Sequence, residues 1–137
     1  MPDDIRTRAD IEPEHLVWFN SATDYLKSAH LLYEHSGSSQ VTTGLLYRAV
    51  RHHLKGWLIL QGADSKKAID LNVLLRKAST INIHFNAYSD FCKEISRYNL
   101  EKNYPGHSAE TPSREKMREM IETGDRVIGI VTEREGE

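Results

Sequence analysis

The sequence predicts an all-α protein, an antiparallel up-and-down bundle of four to five helices. Apolar residues recur at steps of three and four along most of the chain, which is the period of an amphipathic helix. No stretch of any length alternates with a period of two, as a half-buried strand would. The breaks between the helical segments are short, so successive helices are expected to pack against each other in opposite directions.

The first predicted helix is the segment EPEHLVWFNSATDYLKSAHLLYEH, which places Pro13 in the first turn, where proline is tolerated. The residues at helical spacing that form its apolar face are Trp18, Ala22, Tyr25, Ala29 and Leu32. The segment SGSS at 36–39 interrupts this pattern and is expected to end the helix.

The second predicted helix is QVTTGLLYRAVRHHLKGWLILQ, and Gly62 is expected to end it. Its apolar surface is unusually wide, with one line of residues at helical spacing and two leucines beside that line. These residues are Leu46, Val50, His53, Trp57 and Leu60, with Leu54 and Leu58. We therefore expect this helix to be the most buried, with His53 as a core histidine whose ring nitrogens have hydrogen-bond partners.

Two further helices are predicted before residue 105. Asp64 or Ser65 is expected to cap the third, KKAIDLNVLLRKAS, whose inward residues are Leu71, Leu74, Leu75 and Ala78. Asn82 is expected to cap the fourth, whose apolar face comprises Phe85, Tyr88, Phe91, Cys92 and Ile95. The fourth helix must stop by Tyr104, because Pro105 disfavours helical geometry in the residue before it.

Thr111 is expected to cap a fifth helix, with Pro112 at its first position. The apolar stripe of this helix comprises Met117, Met120, Ile121, Val127, Ile128 and Val131. Gly124 and Gly129 interrupt the stripe, and glycine weakens a helix interior, so the helix is expected to fray near its end.

Length and charge limit the class of protein. A chain of 137 residues suits one domain with one core, and we expect a flexible lead-in at 1–11, the domain at 12–133 and a flexible tail at 134–137. The net charge of -2 and the pI of about 6.4 lack the strong basic excess of a dedicated nucleic-acid binder. Nucleic-acid binding would therefore need a local basic surface.

Cysteine, histidine and hydropathy patterns exclude other classes. The single cysteine, Cys92, can form neither an intrachain disulfide nor a cysteine-based metal cage, and it fits a cytoplasmic location. The seven histidines are scattered, with no zinc-protease arrangement, so neither a metal nor a cofactor is expected. The longest apolar run, GWLIL at 56–60, is too short to span a membrane.

A basic stripe lies on the second predicted helix. Arg48, Arg51, His52 and Lys55 stand at positions i, i+3, i+4 and i+7, so one helix face carries all four. Guanidinium and ammonium groups in such a row could bind the phosphates of a nucleotide or RNA. The alternative is a solvated or ion-paired face, with Glu34, Asp70 or Glu94 supplying the opposite charges.

Between residues 14 and 131 the sequence resembles the HEPN domain, the nucleotide-binding domain of higher eukaryotes and prokaryotes. The first resemblance is a tyrosine- and alanine-containing helix, YLKSAHLLYEHS, followed by a second helix with an A…LK…L…G pattern. That pattern is carried by Ala49, Leu54, Lys55, Leu58 and Gly62. A short leucine-rich third helix and a fourth helix ending near Tyr98 and the pair Tyr104-Pro105 complete it. The resemblance implies a helical, commonly dimeric domain.

The resemblance also implies three kinds of function. Many HEPN domains are ribonuclease toxins or defence proteins, others pair with a minimal nucleotidyltransferase, and others serve as binding modules. Ribonuclease members carry an arginine, four to six residues, and a histidine. Here Arg97 and His107 are separated by nine residues, and Asn103 stands just before Tyr104-Pro105, where related sequences often have arginine. Arg48 and His53 have the family spacing, but mid-helix their side chains would diverge.

We therefore expect a HEPN-like module that binds a nucleotide, RNA or a partner protein without strong catalysis, through the basic stripe. One alternative is a metal-independent endoribonuclease of the toxin type, in which Arg97 stabilises the phosphate and His107 acts as acid or base. The other is a structural subunit for a nucleotidyltransferase partner. We also expect a twofold homodimer that joins the ends of the fourth helices near Arg97 and Tyr98, because the fourth helix has more apolar residues than one inward face needs.

Overall fold

The computed structural model describes residues 13–63, 70–98 and 111–136, with side chains to residue 129. It has five α-helices, α1 (Glu14–Ser36), α2 (Gln40–Leu60), α3 (Leu71–Ile81), α4 (Ser89–Tyr98) and α5 (Arg114–Gly136), and a 3₁₀ helix (Ile83–Tyr88). There is no strand in these three ranges. The predicted all-α helical bundle is confirmed.

A tight connection joins α1 and α2. Gly37 has a positive φ of 72°, which glycine adopts without strain, and its N–H donates to the carbonyl of Tyr33 at 2.7 Å. Ser39 then caps α2 by accepting a hydrogen bond from the N–H of Thr42 at 3.0 Å. The chain therefore reverses within three residues, and α2 returns antiparallel along α1.

The most buried helix is α2, as predicted. It contacts each of the other four α-helices, and twelve of its residues are buried. The largest fully buried side chains among the described residues include five from this helix, Leu46, Val50, Leu54, Trp57 and Leu58. The most extensive contact of α2 is with α1.

Two of the predicted helix starts are wrong. Asp70 caps α3, because its carboxylate accepts from the N–H of Asn72 at 3.0 Å, whereas the predicted caps at 64 and 65 lie outside the described residues. Ser113 caps α5 in place of Thr111, accepting from the N–H of Lys116 at 3.1 Å. Both helices therefore begin later in the chain than predicted, at a different capping residue.

The predicted fourth helix is divided in two. Asn82 does provide the cap, since its side chain accepts from the N–H of His84 at 3.0 Å, but it begins the 3₁₀ helix rather than an α-helix. The N–H of Phe85 bonds to the carbonyl of Asn82, which is the i to i+3 pattern of that geometry. The α-helical part, α4, starts only at Ser89.

The long helix α5 is attached to α1 and to the α1–α2 connection. Tyr33 donates to the carbonyl of Arg114 at 3.2 Å, and Ser38 donates to the carbonyl of Pro112. One ring nitrogen of His30 lies 3.0 Å from a carboxylate oxygen of Asp125. The helix passes through Gly124 and Gly129 and ends at Gly136, so it includes part of the segment 134–137 that was expected to be a tail. The side chain of Val131 is not among the described ones. The predicted lead-in at 1–11 lies outside the described residues.

One protomer buries most of the apolar residues expected to join two copies. Phe85 and Ile95 are fully buried and Phe91 is nearly so, while Tyr88 and Tyr98 pack partly buried against the core. For the described residues, one protomer therefore accommodates the apolar face of the fourth predicted helix, contrary to expectation; Tyr104, which was also expected at this surface, lies outside the described residues. The cause is the division of this predicted helix into a 3₁₀ and an α-helical part, which present side chains to the core at two different angular spacings.

No helix in the described part of the chain is long and apolar enough to cross a membrane.

Candidate functional site

The basic stripe of α2 lies along its contact with α1. Lys55 lies over the ring of Trp18 and Arg48 lies over the ring of Tyr25. Because the two helices are antiparallel, both pairs form, and they are separated by about two helical turns. All four of these side chains are half-buried. We call this surface the α1–α2 seam and define it by Trp18, Ser21, Tyr25, Arg48, Arg51, His52 and Lys55.

His52 occupies the middle of the seam. Its Nδ1 lies 2.9 Å from the hydroxyl oxygen of Ser21, within hydrogen-bonding distance. Its ring meets Trp18 edge-on, with centroids 4.9 Å apart and planes at 84°, and meets Tyr25 at 5.3 Å and 79°. Three contacts from α1 therefore hold this one imidazole in a single orientation.

Each cation of the seam is held over an aromatic ring. The Nζ of Lys55 lies 5.9 Å from the ring centroid of Trp18, and the Cζ of Arg48 lies 5.9 Å from that of Tyr25. The Cζ of Arg51 lies 5.5 Å from the ring of Tyr47, one turn earlier on α2. Such contacts contribute roughly 0.5–1 kcal/mol each at accessible sites, so they limit the conformations that the three long side chains sample.

The charge of the seam at neutral pH comes from three residues. Burial and the nearby positive charges of Arg51 and Arg48 lower the pKa of His52 from its usual 6.5 to about 4. His52 is therefore neutral at pH 7 and adds no charge to those of Arg48, Arg51 and Lys55. The seam is a row of three cations around a neutral, hydrogen-bonded imidazole.

Glu34, Asp70 and Glu94 were the candidate partners in the alternative of an ion-paired stripe. Glu94 pairs with Lys116 at 3.0 Å, and Asp70 accepts the capping bond of α3. Glu34 is exposed on α1 nine residues beyond Tyr25, which is about 13 Å further along the helix axis. Two of these three carboxylates, Glu94 and Asp70, therefore bond to residues outside the stripe.

His53, the residue after His52, lies in the core. It is only 4% exposed and stacks on Phe19, with centroids 5.4 Å apart and planes at 29°. Neither ring nitrogen has a hydrogen-bond partner within the described part of the protein, so the expectation of a satisfied core histidine is wrong. Burial, together with the neighbouring His52, lowers its pKa to about 4. Arg48 and His53 lie on different sides of α2 and form no common site.

Arg97 lies exposed at the end of α4. Its Cζ is 4.9 Å from the ring centroid of Tyr98, and its Nη2 donates to the hydroxyl of Tyr98 at 3.3 Å. His107 lies outside the described residues, so the proposed pairing of Arg97 with His107 stays a prediction.

A groove of about 250 Å³ lies between α4 and α5. Phe91 and Met120 line it together with Asp90, Glu94, Lys116, Glu119 and Thr123. The hydrogen bond from Glu94 raises the pKa of Lys116, so this ammonium stays charged inside an acidic rim. This groove was not predicted from the sequence.

Within the described residues no group of three or more histidine, cysteine or acidic side chains could hold a metal ion.

The sequence analysis identified the cations of the seam but missed their partners on α1. It assigned Trp18 and Tyr25 to the apolar face and did not consider Ser21. One signal was present, because the seven-residue spacing of Trp18 and Tyr25 equals that of Arg48 and Lys55. Equal spacings in two antiparallel helices allow two matching pairs, although they do not fix the alignment that forms them.

Comparison with known proteins agrees with this architecture. The family model described as HEPN domain matches residues 15–134, which is nearly the whole chain. No curated protein and no solved structure matches the chain. The match begins in the first turn of α1 and ends within the last turn of α5, so it includes every helix of the bundle, and the chain is a member of the HEPN domain family.

Proposed function

We propose that this protein is a HEPN module that binds a nucleotide or RNA through the α1–α2 seam, without strong catalysis. The observation that carries the proposal is the row of three cations on one face of α2, each held over an aromatic ring. Membership of a nucleotide- and RNA-related helical family supports the same conclusion.

The arrangement of the seam suits an anionic ligand. A flexible lysine or arginine loses side-chain entropy when it binds a phosphate, and the aromatic contacts reduce that loss because the side chains are already ordered. Arg48 and Arg51 can each offer two parallel N–H donors to a phosphate, whereas Lys55 offers a point charge. The neutral His52 has one hydrogen-bonding nitrogen beyond the contact with Ser21 and can add a directional contact.

The test is a triple substitution of the seam cations. Replacing Arg48, Arg51 and Lys55 together by alanine is expected to abolish binding of labelled single-stranded RNA in a fluorescence-anisotropy titration. The matched control replaces three exposed cations of other helices, Arg76, Lys93 and Arg126, and should retain binding. A thermal melt followed by circular dichroism checks that both variants are folded. Unchanged affinity in the seam variant would exclude the seam as the binding surface.

A second candidate function is metal-independent RNA cleavage, in which Arg97 binds the scissile phosphate and His107 transfers protons. The observation that favours it is the placement of Arg97, exposed at the end of α4 and oriented by the ring and hydroxyl of Tyr98. The guanidinium is therefore accessible to a phosphate.

RNA cleavage in the presence of EDTA tests this second function. If it is correct, the purified protein cleaves RNA under these conditions, Arg97→Ala abolishes the cleavage, and Lys93→Ala, an exposed cation one turn earlier on α4, does not. Expression of the wild type alone would also arrest growth. Intact RNA and harmless expression would leave the binding module as the function.

A further inference from the structure

We infer that the α1–α2 seam recognises several successive phosphates of a polynucleotide and does not read its bases. This inference rests on the proposed function, because it specifies the ligand of the same surface. The ligand is the phosphate backbone of a nucleic acid, bound irrespective of base sequence. The alternative ligand is a free mononucleotide.

The spacing of the cations supports a ligand with more than one phosphate. Arg48 and Lys55 are seven residues apart on α2, which is about 10.5 Å along the helix axis. Each lies over a different ring of α1, and the His52 ring stands between those two rings. A single phosphate could bridge the two end cations only if both left their rings. Successive phosphates of one strand repeat at intervals shorter than this row, so the row can contact more than one of them.

The aromatic residues of the seam are not free to stack on bases. Trp18 and Tyr25 are half-buried, and each already contacts one cation and the ring of His52. Tyr47, beneath Arg51, is only 3% exposed. A base could stack on any of these rings only by displacing a neighbour, so the aromatic residues position the cations.

The charge of the seam then predicts how strongly binding depends on salt. Three cations contact phosphates at neutral pH, because His52 is neutral there. For a single strand the logarithm of the binding constant falls with the logarithm of salt concentration with a slope of about -0.7 per neutralised phosphate, which gives about -2 for three. Each cation removed should reduce the steepness by about 0.7.

Fluorescence-anisotropy titrations with end-labelled oligo(A), oligo(U) and oligo(C) of one length, between about 50 and 200 mM NaCl, test the inference. We expect the three affinities to agree within about fivefold, which is less than a single base contact contributes. We expect a wild-type slope of about -2 and slopes of about -1.4 for R48Q, R51Q and K55Q measured separately. Glutamine keeps most of the side-chain length, and the variant R76Q/K93Q/R126Q removes the same number of charges from other helices and should keep the wild-type slope. AMP and ATP should compete more than about tenfold less effectively than an unlabelled oligonucleotide, because neither offers a row of phosphates as long as the seam.

The possible failures are distinguishable. If the wild type binds no oligonucleotide and no nucleotide, or if the triple alanine variant binds as well as the wild type, the proposed function is wrong. If the triple variant loses binding but AMP competes as well as an oligonucleotide, or one base is preferred by more than about fivefold, only the backbone inference is wrong. Single-variant slopes equal to that of the wild type would likewise overturn it.

Discussion

His52 and His53 are neighbours in sequence, and α2 places their side chains in different surroundings. His52 lies in the seam beside two arginines and a serine hydroxyl, whereas His53 lies in the core against Phe19. Burial is the main reason why both have a pKa of about 4. Both imidazoles are therefore neutral at pH 7, so this pair adds no positive charge to the stripe.

The lowered pKa of His53 predicts a loss of stability in acid. In the unfolded chain this imidazole takes up a proton near pH 6.5, whereas in the folded protein it stays neutral down to about pH 4. The unfolded state binds more protons in that window, so the contribution of His53 is fully present above pH 6.5 and is lost as the pH falls toward 4. The expected loss is on the order of 2 kcal/mol between about pH 7 and pH 5, and His52 adds to it in the same direction. Urea unfolding at a series of pH values measures it.

The variant His53→Phe separates this effect from other titrations. Phenylalanine keeps the stacking with Phe19 and removes the buried nitrogens that lack partners, so it should fold and should reduce the pH dependence. His35→Gln, at an exposed position near the end of α1, is the control and should keep the wild-type profile. The same pH dependence in His53→Phe as in the wild type would contradict the assignment.

At the level of elements, the seam depends on how closely α1 approaches α2. Gly56 lies on the face of α2 that meets α1, one residue after Lys55. A Cβ at this position would lie 2.9 Å from ring atoms of Phe19 and 3.0 Å from the carbonyl oxygen of His15. Glycine is therefore required for the close contact that brings Trp18 and Tyr25 within reach of the cations.

Gly56→Ala is expected to destabilise the protein by about 1–3 kcal/mol, although alanine is intrinsically the better helix former. The matched control is Gly129→Ala in α5, where a Cβ would meet nothing within 4 Å, and this variant should gain up to about 1 kcal/mol. Urea unfolding measures both changes. If Gly56→Ala were as stable as Gly129→Ala, the two helices could not be in tight contact there. A folded Gly56→Ala should also bind RNA more weakly, because α1 would be displaced from the seam.

For the whole molecule, the open question is its assembly. The bundle buries Phe85, Phe91 and Ile95 within one protomer, and none of the large exposed apolar residues of the described part lies on α4. Surplus apolar surface therefore gives no reason to expect a dimer. The expectation now rests on the family alone, in which dimers are common.

We nevertheless predict a twofold homodimer in which the end of α4, with Arg97 and Tyr98, approaches its mate. Light scattering at micromolar concentration should give twice the 15.7 kDa mass of the chain. Tyr98→Arg should lower the measured mass toward that of one chain, because it would replace a ring at the interface by a second guanidinium beside Arg97, and near a twofold axis these charges would face the same charges of the mate. A mass near 15.7 kDa for the wild type would exclude the dimer, and it would leave the seam proposal intact because the seam lies on α1 and α2 of a single chain.

Several features followed from local sequence alone. Helical periodicity identified the helical segments, and a wide apolar surface identified α2 as the central helix, because both properties depend on residues within a few positions of each other. The stripe of Arg48, Arg51, His52 and Lys55 was predictable for the same reason, since spacing within one helix determines which residues share a face. The break of the first helix at SGSS, residues 36–39, was also predictable, and in the structure Gly37 of this segment has a positive φ.

Other features were decided only by the tertiary structure. The contacts of Lys55 with Trp18 and of Arg48 with Tyr25 depend on how two antiparallel helices are aligned, and the spacing within one helix carries no information about that alignment. The lack of partners for His53 has the same cause, because the neighbouring helices supply the apolar side chains around it. The starts of α3 and α5 depended on which of several nearby capping residues bonds to the helix, and packing of the first turn selects among residues of similar capping strength. Local sequence therefore determined which charges share a face, and the packing of α1 on α2 determined what holds them in place.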